Sequence, residues 1–382
     1  MANSYLEVRL DTVRRNVKSI QADLGERTKL IPVLKGNAYG LGAVRLAKDL
    51  SEMAGIDTFA VAQTAEGLEL RNAGIRDKIM VMSLPLRHQV RTATEQNLIL
   101  TLGAFHQFDV LRDVSKELGK KIAVQLKLDT GLHRIGFLPE EMERLCDCLR
   151  ESSQYLQICG TFSHFSCNST KQLQRQAELF RIMTCDLTKA GIEPGLCHMS
   201  SSGSMEAGPD WYFDAVRIGR RLYMDSPDTP TGTVGEAVSF RAWLTDIRQR
   251  RRGDTLAYGG KTVLASDSRI GVLSVGYGDG LDPGFVGKNA PVLVNGQRAT
   301  LLDVCMDQSF VALDGIDCSP GDEVTLFGYD RSGNILPSQD VAALLDREGC
   351  DLTTRITDRV NRVYIEGEDF AQKGNGPAAA GS

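Results

Sequence analysis

Short apolar runs alternate with longer amphipathic stretches along the first part of the chain. Eight runs have the length and composition of buried β-strands, at residues 30–34, 58–61, 79–82, 98–102, 122–128, 158–162, 196–199 and 215–218. Most segments between them are long enough to form a helix. Alternating strands and helices predict a parallel sheet, and eight such units predict an α/β fold of the closed (β/α)8 barrel type.

The pattern changes at Val238, where strand-like runs follow one another with only turns between them. These runs occupy residues 239–244, 271–275, 291–294, 299–304, 309–313 and 324–327. Asn295-Gly296 is a hairpin-type turn, and residues 338–345, with Ser338 as a candidate cap, are the one clear helix. The sequence therefore predicts a mostly β second domain.

These patterns divide the chain into three predicted segments. Residues 9–236 form the barrel, residues 237–370 form the mostly β domain together with residues 1–8, and residues 371–382 form a disordered tail. The tail has no apolar face that could pack against a core. A first helix is predicted between the candidate N-cap Asp11 and Gly25, with apolar residues at helical spacing: Val13, Val17, Ile20 and Leu24.

Composition and charge narrow the class of protein. The 382 residues are 42% hydrophobic and 24% charged, with a formal net charge of -5, which is typical of globular proteins and unlike a nucleic-acid-binding surface. No apolar run is long enough to cross a membrane, and no signal peptide is recognisable. Nine scattered cysteines without a C-x-x-C pair are typical of free thiols in a reducing cytoplasm. We expect no structural metal. One cluster of basic residues is interpreted as a solvated turn between strands: Arg248, Arg250, Arg251 and Arg252.

Polar side chains fall at the ends of the predicted barrel strands, where barrel enzymes carry their active sites. Lys35 follows strand one, and Lys127, Asp129 and Arg134 lie at the end of strand five or in the loop after it. His164 follows strand six, Ser202 follows strand seven, and Arg217 with Gly219 ends strand eight. Loops after the last two strands of a barrel often bind phosphate through hydroxyls and backbone N–H groups. Each residue alone has a structural explanation, such as a packed histidine for His164 or a salt bridge for Arg217. Their joint placement favours a single active site.

Lys35 is the most informative of these residues. It directly follows an apolar strand and precedes a turn that contains Gly36, Gly40 and Gly42. Burial at such a place would lower the pKa of the amine, which suits a lysine that bonds covalently to a carbonyl group. The alternative is a lysine that extends from the strand end into solvent.

The run Lys-Gly-Asn-Ala-Tyr-Gly, residues 35–40, resembles the lysine motif of the alanine racemase family, enzymes of fold type III that use pyridoxal 5′-phosphate (PLP). The resemblance implies that Lys35 binds the cofactor covalently and that Tyr39 contacts its phosphate. Residues 127–137 resemble a second family motif. This motif implies a supporting role for Lys127, often carbamylated in the family, and contact of Arg134 with the tyrosine base and the substrate carboxylate.

Further family motifs surround the predicted cofactor. They imply that His164 stacks on the ring, that Arg217 hydrogen-bonds the pyridine nitrogen, and that the phosphate is bound by Ser202 and Gly219, followed by Arg220. Because arginine keeps its protons, the nitrogen that it meets is an unprotonated acceptor and the electron sink is weaker. A weaker sink suits quick reprotonation of the substrate and suppresses transamination.

The predicted β domain carries a second base in this resemblance. Residues 276–280, Gly-Tyr-Gly-Asp-Gly, resemble the family segment Gly-Tyr-Ala-Asp-Gly, which implies that Tyr277 acts opposite Lys35 and reaches the site from the second subunit of a homodimer. A nearby cation must lower the pKa of this tyrosine, and Arg134 is the candidate. Residues 305–308 resemble the segment in which the Met306 N–H contacts the substrate carboxylate, with Asp307 beside it.

Three departures from the family pattern affect the predicted substrate. Asp358 stands where the family has a tyrosine that touches the phosphate and narrows the pocket entrance. Arg220 replaces an apolar residue, and Ser200-Ser201 replaces Ala-Asn. The carboxylate of Asp358 would enlarge and polarise the pocket, which makes Asp358 a candidate substrate-binding residue. The substrate is therefore open between alanine and serine or a basic amino acid.

The sequence predicts a cytoplasmic, homodimeric, PLP-dependent racemase that interconverts L- and D-amino acids. Alanine is the first candidate substrate, and Lys35 and Tyr277 are the two bases. An amino-acid decarboxylase of the same fold type is an alternative, but such enzymes place a carboxylate at the pyridine nitrogen, where this chain has Arg217. A non-enzymatic PLP-binding protein is another, but such proteins lack the β domain and its tyrosine. We expect an amino-acid substrate and no nucleic-acid or membrane partner.

Overall fold

The computed structural model describes residues 2–224 and 234–366. The chain forms two compact units. The barrel unit comprises Val17–Ala38 and Gly42–Leu222, and the second unit comprises the described residues of Met1–Asn16, Tyr39–Leu41 and Tyr223–Ser382. The predicted tail, residues 371–382, lies outside the described residues.

The barrel unit confirms the predicted (β/α)8 architecture. After β1 (Ser4–Arg9) and α1 (Leu10–Leu24), its parallel strands are β2 (Lys29–Pro32), β3 (Thr58–Val61), β4 (Lys78–Val81), β5 (Leu98–Leu102), β6 (Ile122–Lys127), β7 (Leu156–Phe162), β8 (Leu196–His198) and β9 (Ala215–Ile218). They are hydrogen-bonded in the order β2-β9-β8-β7-β6-β5-β4-β3, and a parallel bridge between Val33 and Ala60 closes the ring between β2 and β3.

Helices cover the strands of the barrel. They are α2 (Ala43–Ser51), α3 (Thr64–Asn72), α4 (Val90–Glu95), α5 (Gln107–Leu118), α6 (Met142–Glu151), α7 (Thr170–Lys189) and α8 (Ser202–Glu206). The strands are mostly apolar on both faces, because one face packs inside the ring and the other packs against helices. The adjacent residues Ile79 and Met80, which point to opposite faces, are both fully buried. Their carboxyl ends meet at one mouth, where the site residues predicted from the barrel segment, Lys35 to Gly219, lie.

The second unit is mostly β, as predicted. Its later strands are β10 (Val238–Arg250), β11 (Thr255–Leu256), β12 (Thr262–Val263), β13 (Ser268–Leu273), β14 (Pro291–Val294), β15 (Gln297–Val304), β16 (Ser309–Ala312), β17 (Glu323–Tyr329), β18 (Ile335–Leu336) and β19 (Asn361–Ile365). The N-terminal β1 joins this unit, since it pairs antiparallel with β10 and parallel with β19. The helices α9 (Ser338–Ala343) and α10 (Gly349–Arg355) follow β18.

The structure corrects three local predictions. Arg248 and Arg250 lie in β10, not in a turn, because this strand extends well beyond its apolar part along β13. The helix α10 was not predicted, because it begins with Gly349 and lacks a regular apolar spacing. The first helix begins at Leu10, so Asp11 is inside it and is not its N-cap. Among the described residues, no helix has both the length and the apolar character that a membrane crossing requires.

Candidate active site

The segment after the first barrel strand is a left-handed turn. Beyond β2, the N–H groups of Val33 and Leu34 still donate to carbonyls of the neighbouring strands, at 2.7 and 2.8 Å, which holds Lys35 at the carboxyl end of the barrel. The next four residues, Gly36 to Tyr39, have φ angles of 62°, 55°, 52° and 57°. Three of them carry side chains, and the left-handed conformation costs about 1–2 kcal/mol for each such residue. Strain of this kind is concentrated at functional sites.

Hydrogen bonds from both sides maintain this turn. The Ala38 N–H donates back to the strand end at 2.8 Å, and the side-chain oxygen of Asn37 accepts from the Ala43 N–H at the start of α2 at 2.7 Å. Lys35 itself is exposed in the single chain. The burial expected from the sequence is therefore not observed, because the turn carries Lys35 beyond the packed strand ends.

Arg217, on β9, is buried inside the barrel with only 3% of its surface exposed. Its Nη2 donates to the carbonyls of Ser163 and Met199, both at 2.9 Å, and lies 3.1 Å from Nδ1 of His164. Its Nη1 contacts Nδ1 of His198 and lies 3.2 Å from the carbonyl of that residue. Within residues 2–224 and 234–366, the Nε–H group has no acceptor, so it is the donor that remains for a ligand.

Two histidines next to Arg217 are held neutral. Burial, followed by the charge of Arg217, lowers the pKa of His164 to about 3. The same two causes lower the pKa of His198 well below its usual value. Because Nδ1 of His198 accepts from Arg217, its proton is on Nε2, which donates to Oε1 of Gln125 at 3.2 Å. Gln125 and His198 thus fix the orientation of the guanidinium group from inside the barrel.

Lys127 and Arg134 add two further cations at the end of β6. Lys127 is 2% exposed, and its amine donates to the Leu128 carbonyl at 2.7 Å. Burial, followed by repulsion from Arg217, lowers the pKa of this amine to about 7. The loop after β6 folds back so that the Phe137 N–H donates to the Lys127 carbonyl at 2.9 Å. Arg134, on this loop, is exposed and forms no ion pair with a carboxylate of the described residues.

The predicted phosphate-binding residues follow the last two strands. Ser202 begins α8 after β8, and Gly219 directly follows β9; both are buried, and the adjoining Arg220 is partly exposed. A β carbon at Gly203 would lie 2.6 Å from the side-chain nitrogen of Asn168. The start of α8 therefore packs closely against the side chain of Asn168, on the loop after β7.

The second unit brings the other predicted residues together on neighbouring loops. The Tyr277 N–H donates to the carbonyl of the residue before Met306 at 2.9 Å. Arg359, on a third loop, donates to the carboxylate of Asp307 at 2.8 Å and pairs with that of Asp279 at 3.3 Å. Tyr277, Met306 and Asp307 are thus close neighbours within this unit.

Asp358 lies on the third loop and is exposed. On one side of it, the Thr357 hydroxyl donates to the Gly278 carbonyl at 2.8 Å. On the other side, Arg362 donates to the carbonyls of residues 356, 357 and 360, at 2.6–2.7 Å, and to that of Gly40 at 2.9 Å. The backbone that carries Asp358 is therefore fixed, while the residue itself is exposed.

The structure adds residues that sequence reasoning missed. Gln125 and His198 both interrupt apolar strand runs, and that interruption was an available signal. Glu66 binds the turn after Lys35, and nothing in the sequence pattern indicates this contact.

Tyr258 is a further candidate site residue that was not predicted. It is 86% exposed, more than any other large aromatic or apolar side chain of the described residues. Its neighbours Ala257 and Gly259 have left-handed φ angles of 54° and 77°, and its backbone hydrogen-bonds the Cys305 thiol. The dipeptide Gly259-Gly260 after a tyrosine was the available signal.

The chain combines a mostly β unit with an eight-stranded barrel that carries a lysine after its first strand and an arginine–histidine cluster at its mouth. Its relatives are isomerases that act on amino acids. Family models described as alanine racemase, N-terminal domain, and alanine racemase, C-terminal domain, match residues 8–227 and 237–364. The chain belongs to the alanine racemase family.

Individual relatives agree with this assignment. The chain is 31% identical to alanine racemase 2 of Caldanaerobacter subterraneus subsp. tengcongensis, over 96% of both proteins. It is 32% identical to an alanine racemase of Desulforamulus reducens, over 94% of this chain and 98% of that protein. Among solved structures, an alanine racemase of Clostridium difficile 630 superposes with a TM-score of 0.89 at 30% identity, over 97% of each chain.

Proposed function

We propose that this chain is a PLP-dependent racemase that interconverts L- and D-alanine. The observation that carries the proposal is the cluster at the barrel mouth, where Nη2 of Arg217 lies 3.1 Å from Nδ1 of His164. Burial, followed by the charges of Arg217, Arg134, Lys127 and Lys35, lowers the pKa of this histidine to about 3. A neutral ring with cationic side chains around it suits a flat ligand with a phosphate, together with an amino acid that brings a carboxylate. Relatives that match the whole chain carry the name alanine racemase, which supports alanine as the substrate.

The residues at the barrel mouth fit PLP. The Nε–H of Arg217 is the donor left for the pyridine nitrogen, and the neutral ring of His164 would stack on the cofactor without adding charge. Ser202, Gly219 and Arg220, with Tyr39, would hold the phosphate. When bound, PLP supplies an electron sink that stabilises the α-carbon of the substrate after its proton is removed.

Lys127 would act as a carbamate. Its pKa of about 7 leaves much of the amine neutral at physiological pH, and only a neutral amine can add to carbon dioxide. The product would place a negative charge among cations that repel a charged lysine, Arg217 and Arg134. A carbamate there would orient Arg134 for the substrate carboxylate.

Racemisation requires one base on each face of the α-carbon, and Lys35 would serve one face. The resemblance implies Tyr277 for the other face, and Tyr258 is a second candidate. Both tyrosines adjoin the Cys305 backbone or side chain. We favour Tyr258, because its exposed ring on a strained backbone suits a group that enters another protein molecule. Tyr277 would then line the site beside it.

A homodimer would bury the exposed side chains of the second unit. Tyr258, Val263, Met306 and Tyr277 are all exposed large side chains of this unit. Contiguous exposed apolar groups mark interaction surfaces. A second copy of the chain would cover them, so that each active site combines the barrel of one subunit with the tyrosines of the other.

The substrate range would depend on Asp358. The carboxylate of this exposed residue, on a fixed loop, could bind the hydroxyl of serine or the cation of a basic amino acid. Serine and basic amino acids are therefore alternative substrates. The reaction would take place in the cytoplasm, because all nine cysteines, each within the described residues, are free thiols.

Borohydride reduction tests the proposal directly. Protein loaded with PLP and then reduced should carry one pyridoxyl group, and mass spectrometry should locate it on Lys35. The variant Lys35→Ala should carry none, whereas Lys48→Ala, on the exposed surface of α2, should be labelled like the parent. A pyridoxyl group on Lys127, or on no lysine of the parent, would contradict the proposal.

A further inference from the structure

The carboxylate of Glu66 binds two parts of the barrel mouth at once. Glu66 lies in the first turn of α3, and its Oε2 accepts from the Ala62 and Gln63 N–H groups at 2.8 and 2.9 Å. These bonds cap the start of the helix. Its Oε1 accepts from the Gly36 N–H at 2.6 Å. This second contact is unrelated to the cap, because Gly36 belongs to the turn after β2.

The Gly36 N–H is the donor of the peptide bond that follows Lys35. A hydrogen bond to this group orients the peptide plane, and the plane determines the direction in which the Cα–Cβ bond of Lys35 points. The bond also fixes the first residue of the left-handed run, where Gly36 has φ 62° and ψ 41°. Strained backbone of this kind persists only where the surroundings hold it.

We infer that Glu66 is a positioning residue that aims the Lys35 side chain into the site. This inference rests on the proposed function, in which Lys35 bonds to PLP. Each carboxylate oxygen has a separate role: Oε2 accepts the hydrogen bonds of the helix cap, and Oε1 accepts the hydrogen bond of the turn. A glutamine at position 66 has a single acceptor oxygen, and its NH2 group cannot accept from a backbone N–H. Glu66→Gln can therefore retain the cap or the anchor of the turn, but not both.

The test compares Glu66→Gln with Glu69→Gln, which removes an exposed carboxylate from the same helix. We expect Glu66→Gln to lower kcat for alanine racemisation about 10- to 100-fold with little change in KM, as for a misplaced reacting group. We also expect it to weaken the visible circular dichroism of bound PLP, which reports how rigidly the cofactor is held. Glu69→Gln should match the parent in both. Glu66→Asp, which keeps two acceptor oxygens on a shorter side chain, should recover part of the dichroism.

Thermal unfolding of the three variants separates positioning from general stability. A purely structural Glu66 would lower the melting temperature while kcat and the dichroism of the folded protein stayed at parental values, and that result would overturn the inference. Equal losses in Glu69→Gln would overturn it too. The proposed function would fail separately, if the parent itself took up no PLP or did not racemise alanine.

Discussion

Nη1 of Arg217 donates to Nδ1 of His198, so a charged guanidinium and a neutral imidazole share one hydrogen bond inside the barrel. The pairing requires that His198 remain unprotonated, because a protonated ring has no acceptor. His164 must also remain unprotonated, because its Nδ1 lies 3.1 Å from Nη2 of Arg217. The orientation of the Arg217 guanidinium therefore depends on two histidines whose pKa values burial lowers below the usual range.

This dependence predicts a pH effect on stability. Burial lowers the pKa of both histidines below the usual 6.5, to about 3 for His164, so the unfolded chain takes up protons first as the pH falls. The stability of the folded state is then fully present above about pH 6.5 and is lost as the pH falls below it, by up to about 1.4 kcal/mol per pH unit for each group. Urea unfolding of the cofactor-free protein between pH 4 and about pH 8 measures the slope.

The variant His198→Gln should lose one of these two contributions, and its slope below about pH 6.5 should be shallower than that of the parent. The exposed His88 provides the control, since His88→Gln should leave the slope unchanged. Identical slopes in the parent and in His198→Gln would show that His198 is not held neutral.

Carbamylation of Lys127 can be detected without an activity assay. With its pKa lowered to about 7, Lys127 should react with carbon dioxide at neutral pH. We expect protein equilibrated with 13C-labelled bicarbonate to show one carbamate resonance by NMR, absent in Lys127→Ala and present in Lys121→Ala, which removes an exposed lysine near the start of the same strand. A resonance that survives in Lys127→Ala would assign the carbamate to another lysine.

The barrel could be predicted from the sequence because its strands are buried on both faces and therefore appear as short, mostly apolar runs; those at residues 58–61, 98–102 and 215–218 match the observed strands at both ends. The left-handed turn could not be predicted, because positive φ is unfavourable for Ala38 and Tyr39. Distant contacts impose that conformation. The contact of Glu66 with Gly36 joins residues far apart in the sequence and leaves no local pattern.

Two tyrosine variants distinguish the candidate second bases. Loss of a general base typically reduces the rate about 10²- to 10⁴-fold. We expect Tyr258→Phe to show a loss of this size while PLP remains bound to Lys35. If Lys35 and the tyrosine serve the same faces of the α-carbon as in the family, this variant should lose exchange of the α-proton mainly from L-alanine. Tyr277→Phe should have the smaller effect, and the reverse order of the two variants would assign the base to Tyr277.

Asp358 can be tested by comparing substrates. If its carboxylate receives the side chain of a larger amino acid, Asp358→Ala should depress turnover of serine, lysine or arginine relative to alanine, by about tenfold for the loss of one exposed polar contact. Asp351→Ala, which changes a carboxylate of α10 outside this loop, is the control. Weaker retention of PLP with an unchanged ranking of substrates would assign Asp358 to the cofactor site instead.

Racemisation in D2O tests the central claim most directly. The parent protein with PLP, given L-alanine, should produce D-alanine that carries deuterium at the α-carbon, and it should convert D-alanine to L-alanine in the same way. Lys35→Ala should do neither. Chiral chromatography with mass spectrometry gives both the configuration and the isotope content. The account would be contradicted if the PLP-loaded parent left L-alanine unconverted, or if it released carbon dioxide and an amine in place of D-alanine.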